Sequence, residues 1–153
     1  MKADVEVQYA IEQSSLPTES LIETWVNSVL AKYTTQFSLC VRIVDCEESQ
    51  SLNSEYRGKE SPTNVLSFPF EMPECVDAES EILGDLIICA QVVANEAEQQ
   101  GKKLFDHWAH MIVHGTLHLL GFDHINEEDA EEMEQLERDI LATLDIADPY
   151  TEL

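Results

Sequence analysis

Apolar and polar positions alternate at the start of the chain. Val5, Val7 and Tyr9 share one side of residues 3–10 and predict a half-buried strand. From Pro17 the spacing changes to three and four. Leu21, Trp25, Val29 and Leu30 predict a helix that Pro17 opens and that runs to about Lys32 or Tyr33. Residues 37–45 are short and β-rich and predict a second strand. Residues 47–56 carry Leu52 and Tyr56 four apart and predict a short helix ended by Gly58. Ser61-Pro62-Thr63 reads as a loop, and residues 64–70 as a third strand. Pro69 has no amide hydrogen to give to a ladder, so this strand belongs at a sheet edge or ends there.

Residues 72–81 are polar and acidic and predict an exposed loop. Residues 82–90 predict a fourth strand, broken at Gly84-Asp85. Residues 91–100 follow as a helix capped by Gly101, and residues 104–120 as a long, largely apolar helix stopped by Gly121. Asn126 is a good N-cap for a last helix reaching about Leu144. Met133, Leu136, Ile140, Leu141 and Leu144 form one stripe of that helix, and its acids are expected to cover the solvated remainder. There is no internal repeat and no linker, so residues 1–153 read as one domain. The mixture of elements points to an α/β or α+β class with a small sheet packed on helices.

Composition bounds the function. With 44% hydrophobic and 25% charged residues, the chain matches an ordinary soluble globular domain large enough to bury a core. No apolar run approaches membrane length, and residues 1–6 lack the apolar stretch of a signal peptide, so a cytosolic location is expected. Cys40, Cys46, Cys75 and Cys89 form no Cys-x-x-Cys pair. Cys40 and Cys89 sit in apolar runs and read as reduced, buried core thiols rather than as disulfides or zinc ligands. The 8 basic and 31 acidic residues leave a formal charge of −23, which argues against a protein that grips nucleic acid by charge alone. Two close basic pairs, Arg57/Lys59 and Lys102/Lys103, stand out against that field.

All five histidines lie between His107 and His124. An α-helix turns about 100° per residue, so His114 and His118 share a face and can aim at one ion. Gly121 lets the chain reverse, which returns His124 toward the same point. Three imidazoles leave one position open on a tetrahedral ion, the pattern of a catalytic zinc site. His110 is a rival ligand, four residues before His114. His110 and His107 read as supporting or surface residues. Asp123 either holds a ligand imidazole in its tautomer or caps the turn. The spacing His114-x-x-x-His118-x-x-Gly121-x-x-His124 is that of metzincin peptidases, but the position of their general-base glutamate is Gly115. Metal binding tolerates that loss, and that route to peptide cleavage does not.

His114-Gly115-Thr116-Leu117-His118-Leu119-Leu120-Gly121-Phe122-Asp123-His124 resembles the signature of the bacterial YbeY family of endoribonucleases. Residues 52–69, from Leu52-Asn53-Ser54 through Thr63-Asn64-Val65 to Phe68-Pro69, and Leu83-Gly84-Asp85-Leu86 support the resemblance over most of the chain. It implies an α+β fold, with a four-stranded mixed sheet beside helices, and one zinc ion held by His114, His118 and His124. It also implies metal-dependent cleavage of single-stranded RNA, in the 3′-end maturation of small-subunit ribosomal RNA and in ribosome quality control. Ribosomal proteins and an assembly GTPase are the partners it implies, and Arg57 takes the place of the family's functional arginine.

The chemistry has its own grounds. A bound metal polarises a phosphoryl oxygen and lowers the pKa of water from about 15.7 to about 7. Without a glutamate at Gly115, activated water or the RNA's own 2′-OH remains as the attacking group. The planar fork of Arg57 matches a phosphate, although a surface arginine most often makes an ordinary salt bridge. Phe68 and Phe70 share one side of their strand, where they either stack bases or fill the core. A zinc metallopeptidase and a non-catalytic, zinc-containing ribosome assembly factor are the alternatives to an endoribonuclease.

Overall fold

The computed structural model describes residues 4–11, 16–31, 33, 36–57, 65–69, 80–122 and 127–146, with the backbone alone described at 36, 56–57, 69 and 80–82. The elements run β1 (Asp4–Tyr9), α1 (Glu19–Leu30), β2 (Gln36–Val44), α2 (Cys46–Arg57), β3 (Val65–Pro69), β4 (Ser80–Cys89), α3 (Ala90–Gln100), α4 (Leu104–Leu119) and α5 (Glu127–Thr143). All four strands and five helices expected from the periodicity are present, as an α+β fold. The α1 helix starts after Pro17. The Thr18 side-chain oxygen accepts the Leu21 N–H at 3.2 Å, so Thr18 is the N-cap. The proposed caps Gly58 and Asn126 and residues 72–79 of the loop expected over 72–81 lie outside the described residues, and residues 80–81 belong to β4 instead.

The strands form one mixed sheet in the order β1-β2-β4-β3. β1 and β4 flank β2 in parallel, and β3 runs antiparallel to β4 at the edge, where the missing amide of Pro69 is tolerated. The Gly84-Asp85 interruption does not end β4. It appears as a register shift, with Ser38 opposite Ile82 and Leu39 opposite Gly84, so the strand absorbs one extra residue there.

Alternation along the strands separates two cores. Phe37, Leu39, Val41 and Ile43 of β2, with Leu86 and Ile88 of β4, are buried in the main cluster with Ile22 and Val26 of α1 and Trp108 and Ile112 of α4. Val44, Leu66 and Ile87 face the other way and form a smaller cluster with Leu52 of α2 and Phe68. Helices α4 and α2 therefore cover opposite faces of the sheet. Phe68 belongs to this second cluster, the core role rather than the base-stacking one, and Phe70 lies outside the described residues.

The thiols divide likewise. Cys89 is fully buried, and burial pushes its thiol up to about 11, with Cys46 Sγ 3.6 Å away. Cys40 is only half-buried, because it sits on the α2 side of β2 near Asp85 and Glu6. Burial, then those two carboxylates, lift its thiol to about 11. Both remain protonated at neutral pH, and Cys40, Cys46 and Cys89 are all free thiols. Among the described residues no helix is long and apolar enough to cross a membrane.

The α4 helix is buried on nearly all sides and packs against α1, α3, α5, β3 and β4. Gly115 lies close against the sheet. A Cβ there would stand 2.7 Å from Leu86 Cδ2 and 3.2 Å from Val65 Cγ2. Leu86 is fully buried and has little room to yield. Gly115→Ala is therefore expected to destabilise the fold by about 1–3 kcal/mol, as other overpacked sites do. A denaturant midpoint equal to that of the wild type would show that α4 can retreat from β4 at no cost.

Candidate metal centre

The α4 helix carries a ladder of four imidazoles. His107, His110, His114 and His118 lie three, four and four residues apart, which keeps them within one strip of the helix surface. The ring centroids of successive pairs are 6.0, 6.2 and 4.6 Å apart. Burial falls along the ladder, from His107 and His110 in the core to the half-buried His114 and His118. Of the two readings of His107 and His110, as supporting or as surface residues, the surface one is excluded. Both rings are buried, because α3 and α5 cover this part of α4.

The buried rings meet carboxylates. His107 Nε2 is 3.0 Å from Glu96 Oε1 on α3. His114 Nδ1 is 2.5 Å, and His110 Nε2 3.6 Å, from Glu137 Oε1 on α5. Glu137 is fully buried within the apolar stripe of α5, one turn from Met133 and one from Leu141. The expectation that the acids of this helix cover only its solvated side fails at this residue. A carboxylate can occupy such a position only with polar partners, and α4 supplies them. The signal in the sequence is a single acid on the apolar stripe, at i+4 from Met133 and i−4 from Leu141. In a helix so acidic it does not stand out.

His110, His114 and Glu137 each place a ligand atom within 4.8 Å of the others and form a possible metal-binding cluster. The expected pair His114 and His118 is also brought together, with Nε2 atoms 3.1 Å apart. Just past His118 the helix closes in a Schellman turn. Phe122 N–H donates to Leu117 O at 3.1 Å and Gly121 N–H to His118 O at 3.0 Å, and Gly121 has φ +106°. The chain reversal expected at Gly121 therefore begins as foreseen. His124 and Asp123 lie outside the described residues. Arg57 is the last residue of α2, and its side chain is not among those described.

The Gly115 contact also explains the absent glutamate. The position that bears the general base in metzincins here meets Leu86 and Val65, where a carboxylate would be buried against two aliphatic side chains.

Burial lowers the pKa of His107 from its ordinary 6.5, and the Glu96 carboxylate only partly offsets that shift. The folded protein thus holds the ring neutral, while the unfolded chain takes up a proton as pH falls through about 6.5. The stabilising contribution of the neutral ring is complete above that pH and is lost as pH falls below it. Metal-free wild type should lose more stability between about pH 7.5 and pH 5.5 than His107→Gln, which cannot titrate. Equal losses in thermal melts of the two proteins would remove His107 as a source of acid sensitivity.

Two comparisons bear on this geometry. The solution structure of TM1509 from Thermotoga maritima superposes with a TM-score of 0.58, covering 97% of this chain and 99% of that one at 22% sequence identity, and so shares the fold. The family model described as endoribonuclease YbeY matches residues 6–145, a span that contains the sheet, the imidazole ladder and Glu137. The chain belongs to the YbeY family of endoribonucleases, hydrolases that act on RNA.

Proposed function

We propose that this protein is a zinc-dependent endoribonuclease that cuts single-stranded RNA in small-subunit ribosomal RNA 3′-end maturation and in ribosome quality control. One domain spanning residues 1–153 does this work in the cytoplasm. One ion per chain is held by His114, His118 and His124. The observation that carries the reading is the pair of imidazole nitrogens 3.1 Å apart at the end of α4. Two nitrogens bound to one tetrahedral zinc ion at about 2.0–2.1 Å stand about 3.3 Å apart, so the pair already has nearly the separation a shared ion requires.

When bound, the ion polarises a phosphoryl oxygen and makes water acidic enough to attack near neutral pH. The chain's own groups do the rest. His114 and His118 direct their Nε2 lone pairs to the same point, held by a helix that the core grips along its whole length. Arg57 holds the scissile phosphate through its planar guanidinium and offsets charge that develops there. Gly115 supplies no proton acceptor, which disfavours the metallopeptidase alternative.

The charge of −23 limits how firmly RNA is held. Binding by counterion release needs several basic contacts, and Arg57/Lys59 and Lys102/Lys103 are few. Ribosomal proteins and an assembly GTPase supply placement on the ribosome. Isolated single-stranded RNA should accordingly bind weakly at physiological salt, and tight binding in a filter or fluorescence titration would contradict this.

The deciding experiment measures metal content and cleavage of a single-stranded RNA oligonucleotide for wild type, His114→Ala and Arg57→Ala. Wild type should carry about one ion and cut, His114→Ala should do neither, and Arg57→Ala should keep the ion and lose cleavage. Cleavage that persists without metal would remove the ion from the chemistry. Bound metal without cleavage, even on intact ribosomal particles, would turn the protein into an assembly factor.

A further inference from the structure

We infer that Glu137 is a positioning residue for the metal. It fixes His114 in the tautomer that carries its proton on Nδ1 and so presents the Nε2 lone pair beside His118. The inference rests on the reading of His114 and His118 as ligands of one ion.

Two distances separate this role from direct ligation by Glu137. Ligand atoms on one tetrahedral zinc ion stand about 3.3 Å apart. His114 Nδ1 and Glu137 Oε1 stand closer than two ligands of a common ion do, and within hydrogen-bonding reach, so the carboxylate meets the ring as a hydrogen-bond acceptor. The 3.1 Å between His114 Nε2 and His118 Nε2 suits the shared ion far better. His114 thus has one nitrogen for each task. Nδ1 donates inward to the carboxylate, and Nε2 faces the neighbouring ligand.

The placement of Glu137 strengthens the case. Its side chain is fully buried on α5, a different element from the one that carries the ligands. A buried carboxylate left without donors costs several kcal/mol. The His114 donor stabilises Glu137, and Glu137 in turn orients His114. Ordering of α5 against α4 and presentation of the Nε2 lone pair are therefore one event. A carboxylate behind a ligand imidazole also raises the basicity of the ligating nitrogen, and losing such a partner typically weakens metal affinity about 10- to 100-fold.

The test has one measurement that needs no substitution. Long-range proton–nitrogen NMR of metal-free wild type, recorded at about pH 8, above the unperturbed imidazole pKa, reads the His114 tautomer directly. The proton is expected on Nδ1, and a proton on Nε2 overturns the inference. The second measurement is zinc affinity by competition with a chromogenic chelator, for wild type, Glu137→Gln and Glu137→Leu. The Gln side chain keeps an oxygen that accepts the Nδ1 proton, so most of the affinity should remain. The Leu side chain fills the space without an acceptor, so affinity should fall about 10- to 100-fold. A Leu variant that binds zinc like wild type, a Gln variant as weak as the Leu variant, or zinc-loaded wild type with the ion on His114 Nδ1 would each overturn the role. If wild type takes up no zinc at all, the proposed function fails instead, and the metal-free tautomer still decides the role of Glu137.

Discussion

A helix buried on nearly every side carries four imidazoles, and the carboxylates that reach their rings from two other helices organise the molecule around α4. Its apolar residues, Trp108, Ile112 and Leu117 among them, join the sheet to α1. Its histidines draw in acids from two other helices, Glu96 of α3 and Glu137 of α5. The same contacts that hold the fold together therefore orient the site. Gly115 completes the arrangement by letting α4 approach Leu86 and Val65 more closely than any side chain would allow.

The gradient of burial along the ladder has a chemical consequence. His107 sits where charge is disfavoured and stays neutral, a structural ring paired with Glu96. His114 and His118 lie where the helix emerges, half-exposed, with their Nε2 atoms together. One helix thus grades from core to site within three turns. The Schellman turn at Gly121 then ends the helix just after His118.

The sheet carries a helix layer on each face. The α4 helix brings the histidines to one face, while α2 covers the other through a small cluster around Ile87. The edge strand β3 follows α2 in the chain and packs against α4, so it links the two faces. At a formal charge of −23 a broad basic surface is unavailable.

Local periodicity and spacing were enough to read the elements, the edge position of β3 and the pairing of His114 with His118. Each of these depends on residues a few positions apart, and backbone geometry alone relates them. The turn at Gly121 was legible for the same reason, since a positive φ is set by a single residue. The role of Glu137 was not legible, because in sequence it is one acid among eleven between residues 127 and 153. Only the packing of α5 on α4 distinguishes it, by burying it beside a donor 23 positions earlier in the chain. Gly115 was visible as the absence of a base, but its cause lies in side chains of β3 and β4. The inward positions of His107 and His110, and the half-exposure of Cys40, were likewise decided by which element covers which face, and that depends on contacts between segments far apart in sequence.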